Sequence, residues 1–255
     1  MTSRSADDRS RALRGRYGRI VCGRFTSLTP PDELARIFET ATPSPEVAEH
    51  VPDYNVAPTT RVLAVAVDRE GTRRIGRFQW GLVPSWAKDA SGSARLINAR
   101  SESIFDKPSF RHLVPHRRCL VPMDGFYEWR TVHDTPPPAR SPKQPVYVTR
   151  ADGRPLAVAG IWSSWRADAS SPWLHTCCLV TTAANSTIAG IHDRMPVIVE
   201  RSDWASWLDP AHSDRAELEA LMRPAADDIV RVRPVSTRVN SVRNNDASLL
   251  EPIES

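Results

Sequence analysis

Five short clusters in this chain of 255 residues hold side chains that could do chemistry. Cys22-Gly23-Arg24 is the first, and Tyr54-Asn55-Val56-Ala57-Pro58-Thr59 the second. Trp80-Gly81-Leu82-Val83-Pro84-Ser85-Trp86 leads into Ile97-Asn98-Ala99-Arg100-Ser101-Glu102. Gly125-Phe126-Tyr127-Glu128-Trp129 follows, and Thr181 with Ile191-His192-Asp193-Arg194-Met195-Pro196 is the last. Cys22, His192 and Asn98 supply a thiol, a base that titrates near neutrality and an orienting amide. Those are the residue types of a thiol peptidase. Glu128 lies among aromatics, and burial there would raise its pKa toward the range of a general acid or base. Each residue alone has a plainer reading. A lone Cys is usually a small buried hydrophobe, His192 a surface turn, Asn98 a cap, Glu128 a solvent-facing strand residue and the tryptophans core.

The elements that must carry these clusters are short. Thr29 as cap, Pro30 in the first turn and Asp32-Glu33 near the positive end of the dipole start a helix through Leu34, Ile37 and Phe38. Val62–Val67 is an apolar, β-branched run and reads as a buried strand, with Arg74–Trp80 as its partner. Residues 84–96 read as loop, and Ala99–Phe105 as a helix ended by Pro108. Further strands are expected at 119–122, 126–129, 146–149, 156–162 and 176–182, with 131–145 a Pro-rich exposed loop. Ser202-Asp203 opens a helix carrying Trp204, Trp207 and Leu208, and Ser213-Asp214 opens another through Leu218 and Leu221. Val230–Val232 and Val235–Val239 close the sheet. Many short strands and few helices give an α+β fold: one compact domain with a β-rich antiparallel or mixed core.

Composition narrows the class. Hydrophobic residues make up 40% of the chain, enough for a core, and no run of eighteen apolar residues marks a membrane span. Residues 1–20 lack the apolar stretch of a secretory signal. Cys22, Cys119, Cys177 and Cys178 form no C-x-x-C, so neither a zinc site nor a disulfide framework is indicated, and no metal or cofactor is expected. The net charge of +4 is misleading, because residues 1–20 hold six Arg and two Asp. Without them the charged side chains balance at 28 of each sign. Any nucleic-acid binding must then come from a local patch, not from the overall field. Residues 1–21 read as a disordered extension, and residues 22–255 as the domain.

Taken together the clusters are far more specific. CGRF, YN-APT, WGLVPSW, NARSE, GFYEW and IHDRMP, in this order, resemble the SOS response-associated peptidase (SRAP) family. The resemblance runs from Cys22 to about Pro252. It implies a single α+β domain with a β-rich core that crosslinks to abasic sites in single-stranded DNA. It places the nucleophile on Cys22 and supporting groups on Asn98, Glu128 and His192. It places backbone contacts on Arg24, Arg100 and Arg194, and lines a DNA channel with Asn55, Pro58, Trp86, Ser101, Trp129 and Thr181. The partner implied is single-stranded DNA containing abasic sites, with replication-fork proteins as further candidates. A cytoplasmic monomer is expected, nucleoid-associated when bound to DNA. Lyase activity is a further expectation, and the family label is that of a peptidase, a hydrolase.

The chemistry explains the residue types. An abasic site opens to an aldehyde, which an amine traps as a Schiff base. A cysteine at a free N-terminus adds its thiol to that imine and closes a five-membered thiazolidine. The α-amine titrates near ~8, against ~10.4 for lysine, so a useful fraction is neutral at physiological pH. An internal cysteine cannot do this, because its nitrogen is an amide. Cys22 must therefore begin the working chain. Valine codons include GTG, an alternative start, so translation from position 21 followed by Met removal is the first expectation. Self-cleavage of the Val21-Cys22 bond is the rival. A thiol peptidase and a non-catalytic single-strand binding module are the alternative functions.

Overall fold

Alternation along one strand sets the layering. Strand β3 (Arg61–Val67) turns Val62 and Ala64 into one apolar cluster and Leu63 and Val65 into another on its opposite face. The computed structural model describes residues 21–132 and 143–253. Residues 1–20, and the part of the Pro-rich segment at 133–142, lie outside the described residues.

Two sheets form the body. The first has the order β12-β8-β7-β1-β2, from β1 (Arg24–Ser27), β2 (Asp53–Val56), β7 (Gly125–Thr131), β8 (Lys143–Arg150) and β12 (Val230–Pro234). All its pairings are antiparallel. The second runs β11-β10-β4-β3-β6-β9, from β4 (Arg73–Trp80), β6 (Arg118–Met123), β9 (Leu156–Trp165), β10 (Leu174–Ala183) and β11 (Arg194–Pro196). It closes on itself through β9 and β10, and β10 also takes β4 and the short β5 (Asn98–Arg100) in parallel. Phe25, Val56, Phe126 and Val148 of the first sheet share one core with Val62, Trp80, Val121 and Leu179 of the second. The other face of the second sheet is covered by α1 (Pro31–Phe38), α2 (Pro45–Ala48) and α4 (Trp204–Leu208). Phe38 stacks on Trp204 there at 4.5 Å. The outer face of the first sheet is covered by Val235, Val239 and Leu249 of the C-terminal segment.

The β-rich α+β architecture agrees with the reading of the sequence; four local expectations do not. Ala99–Phe105 is not a helix. Ala99 and Arg100 lie in β5, paired with Val180 and Thr181, and only Ser101–Ser103 makes a single 3-10 turn. Ladder bonds to β10 outweigh the modest helical propensity. Thr29 does not cap α1. The helix starts one residue later than expected, with Pro30 at the N-cap and Pro31 in the first turn; the Thr29 hydroxyl donates instead to Asp124, which also accepts the N–H groups of Leu28 and Thr29. Val235–Val239 does not extend the sheet: β12 stops at Pro234, and Ser236 caps a 3-10 turn over Thr237–Asn240. Thr131 and residues 143–145, read as loop, are strand. Asp214 does cap α5 (Arg215–Leu221), accepting Glu217 N–H at 2.9 Å. α3 (Ser186–Ala189) is capped by Asn185.

One buried cation ties the helical cover to the sheet. Arg118 on β6 is 3% exposed and donates to the carbonyls of Val114, Pro115, Trp207, Asp209 and His212. Burial lowers its pKa to about 10, so it stays charged at neutral pH. Five carbonyls lose their donor in Arg118→Met. That variant is expected to lose about 3 kcal/mol or more in urea unfolding, since buried unsatisfied groups cost roughly 1–3 kcal/mol each; a change within error would contradict the hub role.

Candidate active site

Cys22 lies just before β1, whose register sets Arg24 against Tyr127 and Phe25 against Phe126 of β7. The backbone N–H of Cys22 donates to Glu128 Oε1 at 2.6 Å in a buried setting. Cys22 has φ +46°, the left-handed region that disfavours any residue with a Cβ. The carbonyl on the other side of the same peptide bond, that of Val21, accepts from Asn98 Nδ2 at 2.5 Å. Pairing of β5 with β10 fixes Asn98 opposite Leu179. The Val21-Cys22 bond is thus held from both ends by two side chains that come from different sheets. Asn98 Oδ1 is buried without a hydrogen-bond partner, so this amide has acceptor capacity left over.

Burial governs the titration here. Glu128 is 2% exposed, and desolvation raises its pKa to about 7 against the N–H donors of Cys22 and Trp129, which pull it down. The charge of Asp193 pushes in the same upward direction as burial. Burial, then the charge of Glu128, lifts the Cys22 thiol well above its ordinary value, so it is protonated at neutral pH. Cys119, Cys177 and Cys178 are likewise raised by burial and are packing residues.

His192 follows α3 and is 6% exposed. Its Nδ1 lies 2.8 Å from the Asp193 carboxylate and accepts the Arg194 backbone N–H at 3.1 Å. A neutral ring keeps the second contact; a protonated Nδ1 must turn its hydrogen to Asp193. Arg194 on β11 is clamped: its two terminal nitrogens meet the two oxygens of Glu102 at 2.6 and 3.0 Å, and one also reaches the Thr181 carbonyl at 2.6 Å. Thr181 is buried and accepts Arg194 on its hydroxyl at 3.3 Å. Arg100 is exposed and Ser101 half-buried, both continuing from Asn98.

The remaining sequence candidates fall into two groups. Arg24 donates to Asn55 Oδ1 at 2.7 Å and to the Val239 carbonyl at 2.9 Å. Asn55 is 4% exposed and donates to the carbonyls of Val239, Ser241 and Asn244. Trp129 is half-buried, with its indole N–H on Asn240 Oδ1 at 2.7 Å. These three fasten the C-terminal segment beside the site. Pro58 is half-buried, and Trp86 stands 67% exposed on the loop after β4. Sequence reasoning gave no role to Glu102, Asp193 or the 239–244 segment. Glu102 and Asp193 stood inside quoted motifs, but their partners are set by β10–β11 pairing and by a local turn. Backbone carbonyls such as that of Val239 leave no sequence signal.

The chain belongs to the SRAP family: the model of the "SOS response associated peptidase (SRAP)" matches residues 21–242. It is 36% identical over 231 residues to the abasic site processing protein YoqW of Bacillus subtilis (strain 168), covering 91% of this chain and 99% of that one. It is 32% identical over 242 residues to the abasic site processing protein YedK of Escherichia coli (strain K12), covering 91% and 100%. A crystal structure of a Bacteroides thetaiotaomicron protein shares the fold with a TM-score of 0.80 at 24% identity, covering 91% of this chain and all of that one.

The raised Glu128 pKa makes a stability prediction for the chain with Val21 in place. Between the ordinary value of 4.5 and about 7, the folded protein keeps a proton that the unfolded chain has released. Stability therefore falls as pH rises through that window and is flat above it. Glu128→Gln removes the slope while keeping an oxygen for Cys22 N–H. Relative to pH 4, it is expected to gain on the order of 3 kcal/mol over the unsubstituted protein at pH 8. Parallel pH profiles in urea unfolding would contradict the assignment.

Proposed function

We propose that this protein captures abasic sites in single-stranded DNA through a Cys22 that begins the working chain. The observation that carries the reading is the 2.6 Å contact between Glu128 and the Cys22 nitrogen. The names of YoqW and YedK, each an abasic site processing protein, support it.

With Cys22 first, its α-amine takes the place of the amide beside Glu128. The amine adds to the open-chain aldehyde, and a protonated Glu128, poised near neutrality, gives its proton to the departing hydroxyl as water. The Cys22 thiol then adds across the imine: a C–S bond forms, its proton passes to the nitrogen, and the thiazolidine ring closes. Asn98, relieved of the Val21 carbonyl, orients the sugar oxygen. His192 serves as a second proton carrier. Arg100 and Arg194 bind phosphates, and Trp86 stacks on a base regardless of sequence. Arg194 meets a phosphate by exchanging it for Glu102, so Glu102→Gln is expected to tighten single-strand binding several-fold in a titration. No change would argue against a phosphate at Arg194. Lyase action on the trapped site, a cytoplasmic setting and a monomeric working unit fit this reading. No helix among the described residues is long and apolar enough to cross a membrane.

A second reading concerns how Cys22 is exposed, and the grip on both ends of the Val21-Cys22 bond favours it. The thiol passes its proton to ionised Glu128 and attacks the Val21 carbonyl carbon, Asn98 donates to the oxyanion, and Glu128 hands that proton on to the leaving nitrogen. A thioester to Val21 results, and water hydrolyses it. Translation from position 21 with Met removal reaches the same N-terminus.

The test is a denaturing gel of abasic single-stranded DNA with the chain from Met1 and with a chain beginning Met-Cys22. A covalent band from the shorter chain, lost in Cys22→Ala and slowed about 10²-fold in Glu128→Gln, is the expected result. A band from the longer chain as well, with release of residues 1–21 by mass, supports self-cleavage. A band from neither overturns the reading.

A further inference from the structure

Four of the eight tryptophans gather at one end of the β9–β10 hairpin and its neighbouring loop: Trp86, Trp162, Trp165 and Trp173. None is buried, whereas Trp80 and Trp207 are 0% exposed in the core. Cross-strand register explains the grouping. Ser164 faces His175 and Trp162 faces Cys177, so the alternate residues Trp162, Ser164 and Arg166 of β9 and the residue beyond it share a face with Trp173 and His175. Contacts follow that order. The Arg166 guanidinium lies 4.5 Å over the Trp173 ring, and that of Arg117 4.9 Å over Trp162. His175 meets Trp162 edge-on at 6.2 Å and bonds Ser164 Oγ through Nδ1 at 2.9 Å. Burial and the charge of Arg117 lower the His175 pKa, so an uncharged ring stands in the strip at neutral pH. Trp165, on the opposite face, donates its indole N–H to the Ala87 carbonyl at 2.7 Å and ties the Trp86 loop to the hairpin.

Trp173 keeps 55% exposure with the Arg166 guanidinium stacked on its ring. Planar rings and guanidinium planes in one row are what single-stranded nucleic acid uses: bases stack on the rings and phosphates meet the cations. The carboxylate in the turn, Asp168, is occupied by Ser170 and Ser171 and depressed by them. Beyond His175 the same face of β10 turns into the core with Cys177 and Leu179, so the strip ends at His175 on the strand that carries Leu179 opposite Asn98. At ~3.3 Å per residue, roughly 13 Å separates His175 from that position. We propose that Trp173, Arg166, His175, Trp162 and Arg117 form a second single-stranded DNA contact strip, which holds the strand flanking the captured nucleotide. The proposal rests on the DNA reading above and adds a surface to it.

The test compares the unsubstituted chain beginning at Met-Cys22 with its Arg166→Ala/Trp173→Ala variant, both positions being exposed at the hairpin end. The probes are a fluorescein-labelled 20-nucleotide oligothymidylate without a lesion and a six-nucleotide strand with one central abasic site. Loss of a stacked base and a phosphate contact is expected to weaken the 20-mer about fivefold or more and to flatten its salt slope. Covalent capture of saturating six-mer should match the unsubstituted protein, and equal thermal melts verify the fold. Photo-crosslinking of 5-iododeoxyuridine placed outside the lesion should label Trp162 to His175. Unchanged 20-mer affinity and salt slope would overturn the strip and point to a protein partner for it. If the unsubstituted protein captures no lesion yet the 20-mer still weakens, the strip stands and the capture reading falls.

Discussion

A carboxyl group shut away from water at 2% exposure, with a backbone nitrogen 2.6 Å from it, is an arrangement that a fold must enforce. Ionised, Glu128 would be a buried charge supported only by N–H donors and a distant lysine; protonated, it is a proton donor ready near neutrality. The structure spends several of its constraints on this point. Pairing of β1 with β7 brings Cys22 to Glu128, and pairing of β5 with β10 brings Asn98 to the other side of the same peptide bond. A left-handed Cys22 completes the geometry. Strain at a non-glycine residue persists where the surroundings over-determine it, and here both sheets do so.

Around this centre two arginines are engaged before any ligand arrives. Arg194 holds Glu102 and the Thr181 carbonyl, while Arg24 holds Asn55 and the Val239 carbonyl. The two clamps have different chemical consequences. The Glu102 carboxylate is 55% exposed and can yield to a phosphate, because both present the same pair of acceptor oxygens to a guanidinium. Arg24 binds a carbonyl and an amide at the edge of the C-terminal cover, and exchanging those would loosen the cover itself. These two clamps therefore divide into an exchangeable contact and one tied to the cover, with Arg100 exposed beside them.

Much of this was legible in the sequence. The apolar run at Val62–Val67 read as a strand because it is short and rich in β-branched residues, and Ser213-Asp214 read as a helix start, where Asp214 is the cap. The site motifs were legible as types, and Cys22, Asn98 and Glu128 do converge. What could not be read is long-range choice. Ala99–Phe105 has helical character, but β10 supplies the ladder bonds that make its start a strand. Thr29 has the right side chain for a cap, but the helix starts a residue later, at Pro31, and Thr29 bonds Asp124, 95 residues away. Glu102 and Arg194 are 92 residues apart, and they become neighbours because β5 and β11 both pair with β10.

The central claim is that one residue supplies both nucleophiles. The most direct measurement is peptide mapping by mass spectrometry of the covalent product with abasic single-stranded DNA, after iodoacetamide treatment. The account predicts that the sugar remnant sits on a peptide that begins at Cys22, with its α-amine blocked and its thiol unable to take the alkyl group. A remnant on an internal lysine, or a Cys22 thiol that alkylates freely in the crosslinked product, would contradict it.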